Sequence, residues 1–234
     1  MRTLMLVLLA GLAGCGDVKS DWACGTEDPP PPEVTVLRVQ QCWINEEGDG
    51  GKCGCGTGFP ISSNGIIAYR HELPRSVTEV LVEGETASVL DRGSEETNWD
   101  DWIHVRFQSA PDHVPIVDPK LELHTGERVA IVGFSAHDIP KDRAMKWTDF
   151  QSRTVYGKVV SKPFWLRPPE EVVLIKAGDA ALKGLSGGPV MVRRDNNWVV
   201  IGVYVGRLHR NILDGVFSSK LRIARRIPEH LIEK

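Results

Sequence analysis

The sequence predicts an all-β domain, a barrel or a sandwich, and three observations carry that expectation. From Val34 onward the apolar residues come in short runs rich in Val and Ile. Gly, Pro, Asn and Asp separate these runs at intervals of about ten to twenty residues, the spacing of strands and turns. Helical periodicity is nearly absent until the end of the chain.

Each run reads as a strand for the same reason. Branched and aromatic side chains suit a pleated, half-buried surface, and the turn-forming residues on either side end it. In order, strands are expected over 34–39, 65–69, 77–82, 102–107, 128–133, 154–161, 172–176, 189–192 and 198–205. Only 221–227, Leu-Arg-Ile-Ala-Arg-Arg-Ile, reads as a short C-terminal helix.

At 234 residues the chain can bury roughly 70% of its unfolded surface, so its stability requires no metal or oligomer, and no cofactor is implied. The 28 Lys and Arg against 31 Asp and Glu leave a net charge of −3. Because the basic residues are scattered rather than gathered in a stripe, nucleic acid is not an expected partner.

At the N-terminus Met1-Arg2 precedes the apolar run Leu4 to Leu12, followed by Ala13-Gly14-Cys15. The run is too short to span a hydrocarbon core of about 30 Å. It resembles a bacterial lipoprotein signal with its lipobox. That resemblance implies a signal peptide over 1–14, cleavage before Cys15 and lipidation of Cys15. The exported chain is then expected on the periplasmic or extracellular face of the cell envelope, with the membrane as a partner through the N-terminal lipid. An ordinary signal peptide followed by a chance Cys is the alternative. Residues 15–33 read as a linker ending in Pro29-Pro30-Pro31-Pro32-Glu33, a stiff polyproline spacer, and 34–234 as the folded domain. Export makes Cys24, Cys42, Cys53 and Cys55 candidates for disulfides. A Cys53–Cys55 bond would be strained, which favours joining these two to Cys24 and Cys42. A zinc site of four thiolates competes, against the lack of two CxxC pairs.

The chemistry concentrates at Gly184-Leu185-Ser186-Gly187-Gly188-Pro189. A Gly-rich turn alone is common. A serine nucleophile also needs a base, a group to orient the base, and donors for the oxyanion. Of the seven histidines, His71 stands apart because it ends Gly56-Thr57-Gly58-Phe59-Pro60-Ile61-Ser62-Ser63-Asn64-Gly65-Ile66-Ile67-Ala68-Tyr69-Arg70-His71. This segment resembles the first catalytic block of the trypsin-like serine proteases, particularly bacterial HtrA-like members. Asp100-Asp101 at the head of 102–107 resembles the second block; strand register favours Asp101, with Asp100 the rival. Thr125-Gly126-Glu127-Arg128-Val129, Thr154-Val155-Tyr156-Gly157 and Ile201-Gly202-Val203-Tyr204 resemble further blocks in family order, over about residues 54 to 228.

The resemblance implies two six-stranded antiparallel β-barrels of the chymotrypsin type and a serine endopeptidase acting on protein or peptide. Ser186 is then the nucleophile, His71 the general base and Asp101 its orienter, with the amides of Gly184 and Ser186 as the oxyanion hole. It also implies substrate-binding roles for Ala180, Lys183, Tyr204, Val205 and Gly206. No Asp marks a pocket for Lys or Arg, and the bulk of Tyr204 suggests a short cavity for small or medium apolar side chains. Leu185 stands where zymogen-activated trypsins carry Asp, so no activating cut is expected. Tyr69-Arg70 replaces the small residues usual before the catalytic His. Too few residues follow Gly188 for a PDZ domain. The alternative reading is a catalytically inactive protease-fold lipoprotein that binds peptides or envelope partners.

Overall fold

Alternating burial along single strands explains how the chain closes on itself. In the computed structural model the described residues are 32–44, 51–63, 65–70, 73–94, 99–109, 113–135, 150–162, 168–178, 184–207 and 221–232. Among them, β1 (Leu37–Ile44), β2 (Gly51–Ser62), β3 (Gly65–Tyr69), β4 (Glu79–Val82), β5 (Glu85–Arg92) and β6 (Trp102–Arg106) close one barrel in the order β1-β2-β3-β6-β5-β4. β7 (Arg128–Ser135), β8 (Gln151–Val159), β9 (Val172–Ala177), β10 (Pro189–Arg194), β11 (Asn197–Arg207) and β12 (Leu221–Arg226) close a second in the order β10-β11-β12-β9-β8-β7. Every barrel pairing is antiparallel. This is the all-β, two-barrel architecture the resemblance implies.

Period-two alternation gives each barrel an interior and joins the two along a seam. On β3, Ile66 and Ala68 face the interior of the first barrel with Val39, Val82, Ile103 and Val105, while Ile67 faces the seam. On β7, Val129 and Ile131 face the second interior and Val132 the seam. Phe59, Ile67 and Trp102 from the first barrel meet Val132, Met191, Val200 and Val203 from the second there. Both faces of β3 and β7 are thus dry, which is why these segments read as unbroken apolar runs.

The expected helix over 221–227 is corrected. Leu221–Arg226 is β12, wedged between β9 and β11 with Ala224 opposite both Val173 and Tyr204. Leu, Ala and Arg are good helix formers, but pairing on both edges overrides that local preference. Helical geometry among the described residues is confined to the three-residue 3-10 turn Glu229–Leu231. Two strands absent from the expected series are β5 and the glycine-rich β2.

Cys42 and Cys53 face each other across the β1–β2 hairpin and are joined by a disulfide. Cys55, two residues along the same strand, is a half-buried thiol whose pKa burial pushes up. Cys15 and Cys24 lie outside the described residues, as do 1–14 and most of the 15–33 linker.

Candidate active site

The Gly184–Gly188 turn sits where the rim of the second barrel meets β2 of the first. Gly184 and Gly187 adopt φ of +92° and +87°, a region where a side chain is strained, and together they let the chain double back on either side of Ser186. Leu185 is fully buried in the second barrel interior, anchoring the turn from below. The amide of Gly188 donates to Leu185 O at 2.9 Å. On the β11 side Gly187 N donates to Tyr204 O and Tyr204 N to Gly188 O, each at 2.8 Å.

Thr57 holds the turn from the opposite side. Its amide donates to Ser186 O at 2.8 Å, its hydroxyl donates to Gly184 O at 2.8 Å, and that hydroxyl accepts the amide of Phe134 on β7 at 2.9 Å. Sequence reading gives Thr57 no role, since a threonine in a glycine-rich strand carries no spacing signal. Gly56 beside it is required by contact: a Cβ there would stand 2.9 Å from Ser186 O and 2.3 Å from the Tyr69 ring.

With Gly187 N and Gly188 N taken, the remaining amides of interest are those of Gly184 and Ser186. Neither has an acceptor among the described residues. Ser186 is half-buried, and its hydroxyl donates to Val205 O at 3.4 Å. Arg38 reaches across from the first barrel, stacking over the Phe134 ring at 4.4 Å and donating to Phe150 O at 3.2 Å. The Phe150 ring closes the far side of Gly184, where a Cβ would meet it at 3.0 Å.

The two neighbouring aspartates have different surroundings. Asp100 Oδ1 accepts Arg225 Nε at 2.5 Å, and Arg225 also pairs with Glu171 at 3.0 Å. Asp101 is buried at 7% exposure at the head of β6, and its carbonyl accepts the amide of Arg70 at 3.3 Å. The end of β3 therefore lies between Asp101 on one side and the serine turn on the other: a Cβ on Gly187 would approach Tyr69 N to 2.4 Å.

The bulk of Tyr69 and Arg70 is accommodated. Gly54 and Gly56 leave room for the Tyr69 ring, which is buried in the first barrel with its hydroxyl donating to Val39 O at 3.4 Å. Burial, reinforced by the nearby Cys55 and Asp101, pushes the Tyr69 phenol far above its ordinary pKa and keeps it neutral. Arg70 turns its guanidinium inward to Gly93 O at 2.9 Å. His71, Ala180 and Lys183 lie outside the described residues.

Of the residues expected to line the pocket, Tyr204 is 2% exposed and packs in the second barrel interior. Val205 turns the other way, packing with Val172, Leu174 and Ile223. The β11–β12 register shifts between Tyr204 and Gly206, and this bulge brings Val205 O to Ser186.

No protein-family model matches the chain, and no curated protein matches it. Solved structures do. The active form of the Rv3671c protease from M. tuberculosis matches with a TM-score of 0.52 at 17% identity, over 83% of this chain and 76% of that one. Its inactive form matches with 0.52 at 16%, over 84% of each. The HtrA-type protease AlgW with decapeptide matches with 0.52 at 13%, over 83% of this chain and 61% of that one. The fold is that of the trypsin-like serine proteases.

Proposed function

We propose that this chain is a serine endopeptidase that hydrolyses peptide bonds through an acyl-enzyme. Ser186 Oγ attacks the scissile carbonyl while His71 takes its proton. The amides of Gly184 and Ser186 stabilise the oxyanion, and the C–N bond breaks as His71 returns the proton to the leaving amine. Water, deprotonated by the same imidazole, then cleaves the ester and restores Ser186. Asp101 holds the imidazole tautomer and stabilises the imidazolium. Asp101 is preferred over Asp100 because Arg225 already engages the latter.

The observation that carries this reading is the presentation of Ser186: half-exposed on a turn clamped by Thr57 and β11, with the Gly184 and Ser186 amides left for an acceptor. The HtrA-type protease AlgW, solved with a decapeptide, supports a protein or peptide as the class of substrate. Export, lipidation at Cys15 and a spacer over 15–33 belong to the same proposal, resting on the N-terminal sequence alone.

A fluorophosphonate probe tests the reading. Wild type is expected to label and to cleave casein, and Ser186→Ala to do neither. Absence of both in folded wild type would leave a peptide-binding lipoprotein as the better account.

A further inference from the structure

The β2–β3 ladder opens where the serine turn meets it. Gly58 is opposite Ala68, and one step further the same register sets Thr57 opposite Tyr69. Successive residues of an antiparallel strand turn their peptide groups to opposite neighbours. The Arg70 amide donates to Asp101 O at the head of β6 at 3.3 Å, so the N–H and C=O of Tyr69 turn towards β2. In a continued ladder Thr57 N–H would donate to Tyr69 O. It donates instead to Ser186 O, at 2.8 Å.

A side chain takes over the abandoned carbonyl. Gln41 stands on β1 opposite Gly54, and its Nε2 donates to Tyr69 O on β3. Cross-strand partners share a face, and a glycine at 54 leaves the way over β2 open. The Tyr69 phenol returns to β1, donating to Val39 O at 3.4 Å, so the residue is held by that strand at both ends. Gln41 is 1% exposed, and its Oε1 has no partner among the described residues. An unpaired buried acceptor costs stability, so stability alone does not call for an amide here.

We infer that Gln41 is a positioning residue for the serine turn: by holding Tyr69 O it leaves Thr57 N–H to Ser186 O. The consequence for catalysis rests on the peptidase reading. β3 runs through Arg70 into His71, the proposed base. One amide therefore fixes both the seat of the nucleophile and the end of the strand that leads to its base. Without that donor, Tyr69 O and Ser186 O compete for a single N–H and the turn moves. A shift of about 1 Å can cost on the order of 100-fold in rate.

Scalar couplings across hydrogen bonds, measured by NMR on the deuterated, isotope-labelled full chain, identify the acceptor of each amide. In wild type Thr57 N is expected to couple to Ser186 C′. In Gln41→Met, which keeps the length and removes the donor, it should couple to Tyr69 C′. At saturating fluorophosphonate, folded Gln41→Met should label about 100-fold more slowly, with the half-saturating concentration within a few-fold of wild type. A residue serving stability alone would move the unfolding midpoint and neither of these readouts. Thr57 still coupled to Ser186 in Gln41→Met, or labelling unchanged although the coupling has moved, overturns the inference. If Gln41→Met does not fold, the coupling of the Gln41 side-chain nitrogen to Tyr69 C′ in wild type decides: its presence upholds the inference and its absence overturns it. A coupling that moves while wild type never labels upholds Gln41 as the support of the turn and removes the peptidase reading. A wild type that labels, with the coupling unmoved in the variant, does the reverse.

Discussion

The Thr57 amide donates to Ser186 O at 2.8 Å, so a strand of the first barrel supports a turn of the second. Thr57→Val keeps this bond and removes the two made by the hydroxyl, leaving Gly184 O and Phe134 N without that partner in a dry site. The expected loss is about 1–3 kcal/mol in denaturant unfolding. Fluorophosphonate labelling should slow on the order of 10²-fold as the turn drifts. Thr57→Ser should behave as wild type in both assays.

Two glycines of nearly equal φ separate local strain from collision. Gly84, at φ +88°, has nothing within 4 Å of a built Cβ, and Gly84→Ala should cost about 1–2 kcal/mol. Gly187, at φ +87°, would place its Cβ 2.0 Å from Thr57 O. Gly187→Ala is expected to destabilise well beyond the Gly84 value and to abolish labelling. Equal unfolding midpoints for the two variants would contradict the packing described.

The aspartates should divide stability from turnover. Asp101→Asn is expected to lower kcat about 10⁴-fold with little change in unfolding, approaching the roughly 10⁵- to 10⁶-fold loss of Ser186→Ala. Asp100→Asn should leave kcat within a few-fold and weaken the Arg225 contact, at about 1.5–3 kcal/mol. The opposite pattern would exchange their roles.

Acid should loosen the second barrel through Glu127. Burial pushes this carboxyl up, but hydrogen bonds from Arg194 and the His124 amide, with the Arg194 charge, leave it below its ordinary value of 4.5. A carboxyl lowered in the folded state stabilises the fold above its unfolded pKa, and that contribution is lost as pH falls through the folded value. The urea midpoint of wild type should therefore drop as pH is lowered below about 4.5, whereas Glu127→Gln should start lower and fall less.

Much of this fold is legible in the sequence because burial there follows the chain. β3 is expected over 65–69 and found over Gly65–Tyr69, since both its faces are apolar. Three features are hidden for identifiable reasons. β2 looks like a loop because of Gly54, Gly56 and Gly58, and only the position of Tyr69 shows that two of these make room for a ring. β12 looks helical because its partners, β9 and β11, are decided by the barrel rather than by its own residues. The Asp100–Arg225 contact, which adds to the strand register in favouring Asp101, joins residues 125 apart and is disclosed by no local pattern. Ser186 is legible as a candidate because its glycines are contiguous with it, whereas Thr57 supports it from 129 positions upstream.

Leu185 gives the serine turn an unusual independence from its solvent. An aspartate held by a cation in this place would loosen in acid or brine, because protonation cancels its charge and salt screens its partner. A leucine has no proton to accept and no counterion to shed, so neither acidity nor salinity should unseat it. Heat and chaotropes, which weaken apolar burial itself, are the agents expected to release the turn, and only as the surrounding barrel gives way.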